Sequence, residues 1–311
     1  MRSAAIALVT ARAARGLDED MPPLLAAFEA AGADAEIVDW DDPRTDWGRF
    51  DAALLRSAWD YSERLGDFLA WIERVDGLTT LLNPARVLRW NSDKHYLLEL
   101  AQARLPVIAS RFAEPGGDAR TVLDEFLARE DCAELVVKPS VGAGSRDTRR
   151  HARTAVREIL SHVEQLLEAR RSVILQPYLT GVDREGETAI IHLAGRFSHA
   201  VRKGPLLPPG APASAALFAP EQITARVPDR QELEAAERIL AALPFGELLY
   251  ARVDLIRDAA GRPCLLELEL AEPSLFFAHA PGSAERLVAA TLARCPPPRR
   301  RPPARAPSDR T

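Results

Sequence analysis

Near the end of the chain, apolar and charged residues alternate with a period of two in the stretch Leu265-Leu-Glu-Leu-Glu-Leu270. A strand of this pattern carries Leu266, Leu268 and Leu270 on one face and Glu267 and Glu269 on the other, about 7 Å apart along the strand. Shorter apolar runs predict further strands at residues 4–9, 35–39, 51–56, 134–138, 173–178, 187–193, 196–203 and 248–257. Turn residues at 194–195 and 258–261 predict two hairpins, 187–203 and 248–270. Helical spacing predicts helices at 20–31, opened by Met21-Pro22 and stopped by Gly32, and then around 68–75, 92–103, 154–169, 232–242 and 284–293. Strand–helix alternation up to Asn83-Pro84 predicts a small α/β domain at 1–83. Residues 204–220, with five Pro and two Gly, predict a long loop.

Charge narrows the partner classes. The net charge is −5; the last 17 residues hold five Arg against one Asp, which leaves −9 on the rest. No broad basic surface follows, so nucleic acid is not an expected partner. No apolar run is long enough to span a membrane, and the 4–9 run is too short for a secretory leader. Cys132, Cys264 and Cys295 are far apart and form no zinc or disulfide spacing, which fits the reducing cytoplasm. The Pro/Arg-rich segment 296–311 is expected to be disordered.

Basic residues are unevenly chosen. Of 40 Lys and Arg, only Lys94, Lys138 and Lys203 are lysines. A lysine is a compact point charge suited to phosphate, where Arg is a wide planar fork. Lys138 ends a strand and precedes a turn containing Gly142, Gly144 and Ser145, where free backbone N–H groups can approach phosphate oxygens. Gln176-Pro177-Tyr178-Leu179 follows an apolar run, and Asp183 comes four residues later, an arrangement able to hold a purine and a ribose. Arg202 and Lys203 end another strand. Arg252 and Asp254 share a strand face that a hairpin would bring against Glu267 and Glu269, and Mg²⁺ between such carboxylates and a triphosphate would relieve their repulsion. Read singly, the glycine turn also fits an ordinary loop, 176–183 an edge strand ended by Pro177, and Arg202-Lys203 a solvated pair.

Taken in order, these residues resemble the ATP-grasp superfamily of carboxylate–amine ligases over about 84–280. The pair RVDL (Arg252–Leu255) and ELEL (Glu267–Leu270) is the most specific match. Within it the chain is similar to the group containing the cycloserine-biosynthesis ligase, through DMPPLL (20–25), RSAWDYSERLGDFLAWIERV (56–75), LRWNSDKHYL (88–97), ILQPYL (174–179), SHAVRKGPLL (198–207) and LELELAEPSL (266–275). The resemblance implies an α/β fold, with an N-terminal pre-ATP-grasp domain before a two-lobed ATP-grasp domain, the central lobe at 84–180 and the C-terminal lobe at 181–295. It implies that Lys94 and Lys138 hold ATP phosphates, that Gln176 to Leu179 form the adenine hinge, and that Asp183, or Glu187, meets the ribose. Arg202 and its neighbour Lys203 are expected toward phosphate, and Arg252 toward a developing acyl-phosphate. Asp254, Glu267 and Glu269 are expected to bind two Mg²⁺; many relatives have Asn in place of Glu269, which here adds a charge. The loops at 140–147 and 204–220 are expected to close over the site. The expected activity is an ATP-dependent ligase that joins the carboxyl of an amino-acid-like small molecule to an amine, within one molecule or between two, as in antibiotic biosynthesis. A non-catalytic ATP-binding module is the alternative. Relatives are often homodimers. Trp59, Asp60, Tyr61 and Arg64 are the candidates for contacting substrate.

Overall fold

The computed structural model describes residues 3–208 and 221–295. The chain first builds a four-stranded parallel sheet from β1 (Ala5–Thr10), β2 (Asp34–Asp39), β3 (Ala52–Ser57) and β4 (Thr80–Leu82), in the order β2-β1-β3-β4. β3 is buried throughout, Arg56 included, because helices cover both faces of the sheet. On one side lies α1 (Met21–Ala30), with proline in its first turn as expected. On the other lies α2 (Leu65–Asp76), whose Phe68, Trp71, Ile72 and Val75 are buried at i, i+3, i+4 and i+7 beside Trp40 and Trp47.

Of the helix expected at 92–103, only α4 (Tyr96–Gln102) forms; an unexpected helix, α3 (Ala85–Asn91), precedes it, and Lys94 lies in the turn between the two. Ser92 turns its hydroxyl back to the Leu88 carbonyl, and the Lys94 N–H leaves the helix to donate to the Ser140 carbonyl. A tertiary hydrogen bond therefore replaces the helical one.

A second sheet, antiparallel, contains β5 (Arg111–Ala113), β6 (Glu134–Pro139), β7 (Arg149–Ala152) and β8 (Val173–Pro177) in the order β5-β8-β6-β7. The helices α5 (Ala119–Arg129) and α6 (Val156–Glu168) pack on it through Leu123, Phe126, Ile159 and Val163. One turn of helix, α7 (Val182–Glu185), leads to the third sheet. Its strands are β9 (Glu187–Leu193), β10 (Arg196–Lys203), β11 (Ile223–Arg226), β12 (Tyr250–Arg257) and β13 (Pro263–Glu269), antiparallel in the order β11-β10-β9-β12-β13. Both expected hairpins are present. α8 (Arg230–Ala241), opened by an Asp229–Glu232 capping box, and α4 share one core with this sheet. α9 (Ser283–Arg294) returns to pack beside α1.

β13 is an edge strand, and its unpaired backbone groups need partners. Asn91 supplies both donor and acceptor, to the Leu268 carbonyl and the Leu270 N–H. Tyr96 Oη bonds both backbone groups of Leu268, and Asn83 donates to the carbonyls of Leu270 and Tyr250. These buried side chains fix the strand that carries Glu267 and Glu269. Among the described residues no helix is long and apolar enough to cross a membrane. The expected loop at 204–220 lies mostly, and the Pro/Arg-rich tail at 296–311 wholly, outside the described residues.

Candidate active site

A cavity of about 520 Å³ opens among the second sheet, the third sheet and the loops that follow β1 and β3, a size suited to a small ligand. One part is apolar. Ile108, Leu179, Ile256 and Leu266 pack together there. Leu266 departs from the expected alternation: Asp254 pairs with Glu267 while Leu255 pairs with Leu265, so a bulge leaves Leu266 unopposed and it turns from the core to the cavity. Gln176, Pro177, Tyr178 and Leu179 line this part; the ladder from β8 to β5 ends at Leu175, just before them.

The charged part gathers all three lysines. Lys94, Lys138 and Lys203 are 6%, 8% and 7% exposed, and each lines the cavity. Lys94 Nζ lies 3.0 Å from Glu267 and donates to the Gly142 carbonyl at 2.8 Å, which ties the glycine loop to β13. Lys203 Nζ is 3.1 Å from Asp254 and 3.2 Å from Glu187. Lys138 has no ion pair among the described residues. Burial pushes its amine below the ordinary lysine range, with Glu267 pulling only partly the other way. Arg252 donates to both oxygens of Asp254, at 2.8 and 3.0 Å, and to Glu269 across the strand pair.

The carboxylates answer to these partners. Burial alone would raise Asp254 and Glu267, but Arg252 and Lys203 hold the first, and Lys94 and Lys138 the second, below the usual range. Burial prevails at Glu269, pushed up to about 8 despite Arg252, and at Glu272, pushed up to about 7. On the β13 face, the lysines thus favour the charged form of Glu267, whereas burial disfavours that of Glu269.

Most of the expected site residues meet here. Gly142, Gly144, Ser145, Glu187 and Arg252 line the cavity with the residues above. Gly144 and Ser145 both have positive φ, +62° and +59°, so the loop makes its turn at these two residues. Arg146 of the same loop pairs with Glu63 of the N-terminal unit. Arg202 is not brought to the cavity. Neighbouring strand positions face opposite ways, and as Lys203 points in, Arg202 points out and donates to the carbonyls of Glu185 and Arg184. Gly186 makes room for it: a Cβ there would lie 2.3 Å from the Lys203 carbonyl and 3.0 Å from the guanidinium. Asp183 also stays outside the lining. It accepts from Tyr178 Oη at 2.5 Å and from Arg150, whose guanidinium stacks 3.6 Å over the Tyr178 ring. Asp254 lies beneath the lining, 1% exposed. Of the four candidates in the N-terminal unit, Trp59 and Tyr61 line the cavity, whereas Asp60 bonds Trp40 and Arg64 bonds Asp41. Sequence reasoning gave Glu272, Arg150 and Asp20 no role. For Glu272 the signal was available, since it follows the two strand glutamates by three residues.

Among the described residues no three His, Cys, Asp or Glu side chains are gathered as a ready metal site, because Asp254, Glu267 and Glu269 are turned to Arg252, Lys203 and Lys94. The donor chemistry still fits a hard divalent cation: carboxylate oxygens stand on two paired strands, and burial works against the charge of Glu269 despite Arg252, which a cation would offset.

Residues 6–83 match the family model described as the N-terminal domain of D-cycloserine synthetase DcsG. The cycloserine biosynthesis protein DcsG of Streptomyces lavendulae is 40% identical over 296 residues, covering 94% of this chain and 99% of the relative. The chain belongs to the DcsG family of ATP-grasp ligases. The crystal structure of D-cycloserine synthetase DcsG superposes with a TM-score of 0.88 at 40% identity, over 94% of this chain and 100% of that one. The ATP-grasp ligase PsnB, solved with a phosphomimetic precursor variant, Mg and ADP, shares the fold at a TM-score of 0.62 and 20% identity, covering 93% of this chain and 97% of its own. As a member of this family the chain is a ligase that forms C–N bonds.

Proposed function

We propose that the chain binds ATP with Mg²⁺ in this cavity and closes an O-ureido amino acid into a ring in the cytoplasm, as a step of antibiotic biosynthesis. The observation that carries the phosphate assignment is the fate of the lysines: a chain with 37 Arg buries the ammonium groups of all three at one cavity. The adenine lies in the apolar part, against Ile108, Leu179, Ile256 and Leu266, with the backbone of 176–179 at its edge. Glu187, which lines the cavity, takes the ribose more readily than Asp183, which stays outside the lining. Lys94, Lys138 and the N–H groups of 142–145 hold the phosphates. Glu267 and Glu269, with Asp254 beside them, would hold two Mg²⁺ ions, whose charge offsets that of the phosphate oxygens.

In the reaction the γ-phosphoryl group passes to the substrate carboxylate and ADP leaves. Arg252 stabilises the resulting acyl-phosphate, positioned by Asp254 and Glu269. The nitrogen then attacks the acyl carbon, the C–O bond to phosphate breaks, and the nitrogen gives up its proton. Intramolecular attack needs no second substrate site, because tethering already makes the effective concentration high. Support for the cyclising reading comes from the relative that shares 40% identity over nearly the full length and is called a D-cycloserine synthetase. A screen of amino acids for ADP and phosphate release tests it. Release with O-ureidoserine alone supports ring closure; release only when a second amine is added supports intermolecular ligation instead.

A further inference from the structure

We propose that Glu272 receives the ammonium group of the amino-acid substrate, held in position by Tyr61 and Trp59. This rests on the ligase reading above. Among the described residues, the cavity carboxylates Asp18, Asp20, Glu187, Glu221, Glu267 and Glu269 each have an Arg or Lys within ion-pair distance. Glu272 lines the same cavity and has none; solvent-exposed Glu19 is alike only in that respect. The side chain that hydrogen-bonds the Glu272 carboxylate is neutral, the Tyr61 hydroxyl. Lys94 and Arg252 act on it from beyond ion-pair distance, and both are already paired, Lys94 with Glu267 and Arg252 with Asp254 and Glu269. A half-buried carboxylate with a neutral donor and no ion pair of its own is arranged to take a positive charge from a ligand.

The backbone around it is fixed at nearly every residue. The Ala271 carbonyl accepts from Tyr250 Oη at 2.7 Å, and the Glu272 carbonyl from the Trp59 indole at 3.3 Å. Pro273 restricts the next φ. The Ser274 carbonyl accepts from Arg252 Nη1 at 3.1 Å. The N–H groups of Leu275, Phe276 and Phe277 all donate to the carboxylate of Asp20, and Phe276 sits at φ +55° so that they can converge. Preorganisation of this kind suits a recognition group that must not move. It also sets Glu272 beside Arg252. An amino acid whose carboxyl meets Arg252 has its ammonium two bonds away, within reach of Glu272. The two contacts together select a molecule with both groups on one carbon.

Calorimetry, with AMP-PNP and Mg²⁺ present, compares O-ureidoserine with its des-amino analogue, 3-(ureidooxy)propanoic acid, on the wild type and on Glu272→Gln. Gln keeps the shape and the Tyr61 hydrogen bond but loses the charge. The wild type is expected to favour the ammonium-bearing ligand by about 10- to 150-fold, and Glu272→Gln to remove that preference. Tyr61→Phe should reduce it by a smaller factor. A preference that survives in Glu272→Gln overturns the proposal. So does a fall in affinity of that variant for AMP-PNP with Mg²⁺, which would make Glu272 a metal ligand. If ADP release identifies a different amino acid as substrate, the ring-closure reading falls, and the same comparison with that amino acid and its own des-amino analogue still decides the role of Glu272. If no amino acid stimulates ADP release, both readings fall.

Discussion

Replacing Lys138 by Met should separate the cost of this residue from its use. Lys138 is 8% exposed, has no ion pair among the described residues, and is held below the ordinary lysine range by burial. The charged form is therefore less stable in the folded chain than in water, a cost removed by a Met of similar length. The apo protein should keep or raise its melting temperature. With ATP the sign reverses: a charge-assisted hydrogen bond to phosphate contributes about 1.5–3 kcal/mol, so its loss should weaken binding by about 10- to 150-fold. Differential scanning calorimetry of the apo variant and titration with AMP-PNP and Mg²⁺ measure the two effects separately. An apo protein destabilised by more than about 1 kcal/mol, with nucleotide affinity unchanged, would refute the reasoning, since Lys138 would then be a structural cation whose partner lies within the fold.

The two glutamates of β13 should behave differently on conversion to Gln. Glu269→Gln should leave apo stability unchanged or raised, because that carboxyl sits near 8 and Arg252 keeps both oxygens of Asp254; Glu267→Gln should cost about 3 kcal/mol by stripping Lys94 of its ion pair, and both should abolish Mg²⁺-dependent turnover. Equal apo melting temperatures for the two variants would count against the assigned pairing. Arg202→Ala should change nucleotide affinity by less than about 3-fold, while Lys203→Met, which leaves Asp254 and Glu187 facing each other, should lower the melting temperature by several degrees; the reverse order would contradict the opposite facing of these neighbours. Burial pushes His162 and His192 down to about 4, so the unfolded chain binds more protons between pH 6.5 and 4. Their contribution is complete above about pH 6.5 and is lost as pH falls, by at most about 1.4 kcal/mol per pH unit for each histidine. Denaturant titrations of the wild type and His192→Leu across this range should show a shallower slope for the variant.

What was legible in the sequence follows from what local pattern can encode. The central strands β1, β3, β9 and β12 and the helices α1, α2, α6 and α8 carry runs or stripes long enough to declare their period, and Arg252, Asp254, Glu267 and Glu269 inherit their placement from one hairpin. β4, β5, β7 and β11 are three or four residues long and exist only because a neighbouring strand pairs with them, so their sequences carry little signal. Lys94 was expected on a helix because no local residue announces that its N–H will be claimed by Ser140, 46 positions away. The bulge that turns Leu266 into the cavity is set by the register between β12 and β13, which alternation alone does not report. Arg202 is different, for strand alternation already implied that it and Lys203 could not face the same way. Glu272 was legible as a residue but not as a site, since its meaning comes from Tyr61 and Trp59, more than 200 positions earlier.

The central claim is that this cavity closes an amino acid on itself at the expense of ATP. Mass spectrometry of the protein incubated with Mg²⁺, ATP and O-ureidoserine as the sole amino compound tests it most directly. The expected result is a ring-closed product in one-to-one ratio with ADP, absent from Arg252→Met. Tight ATP binding with neither ADP nor ring-closed product would contradict it.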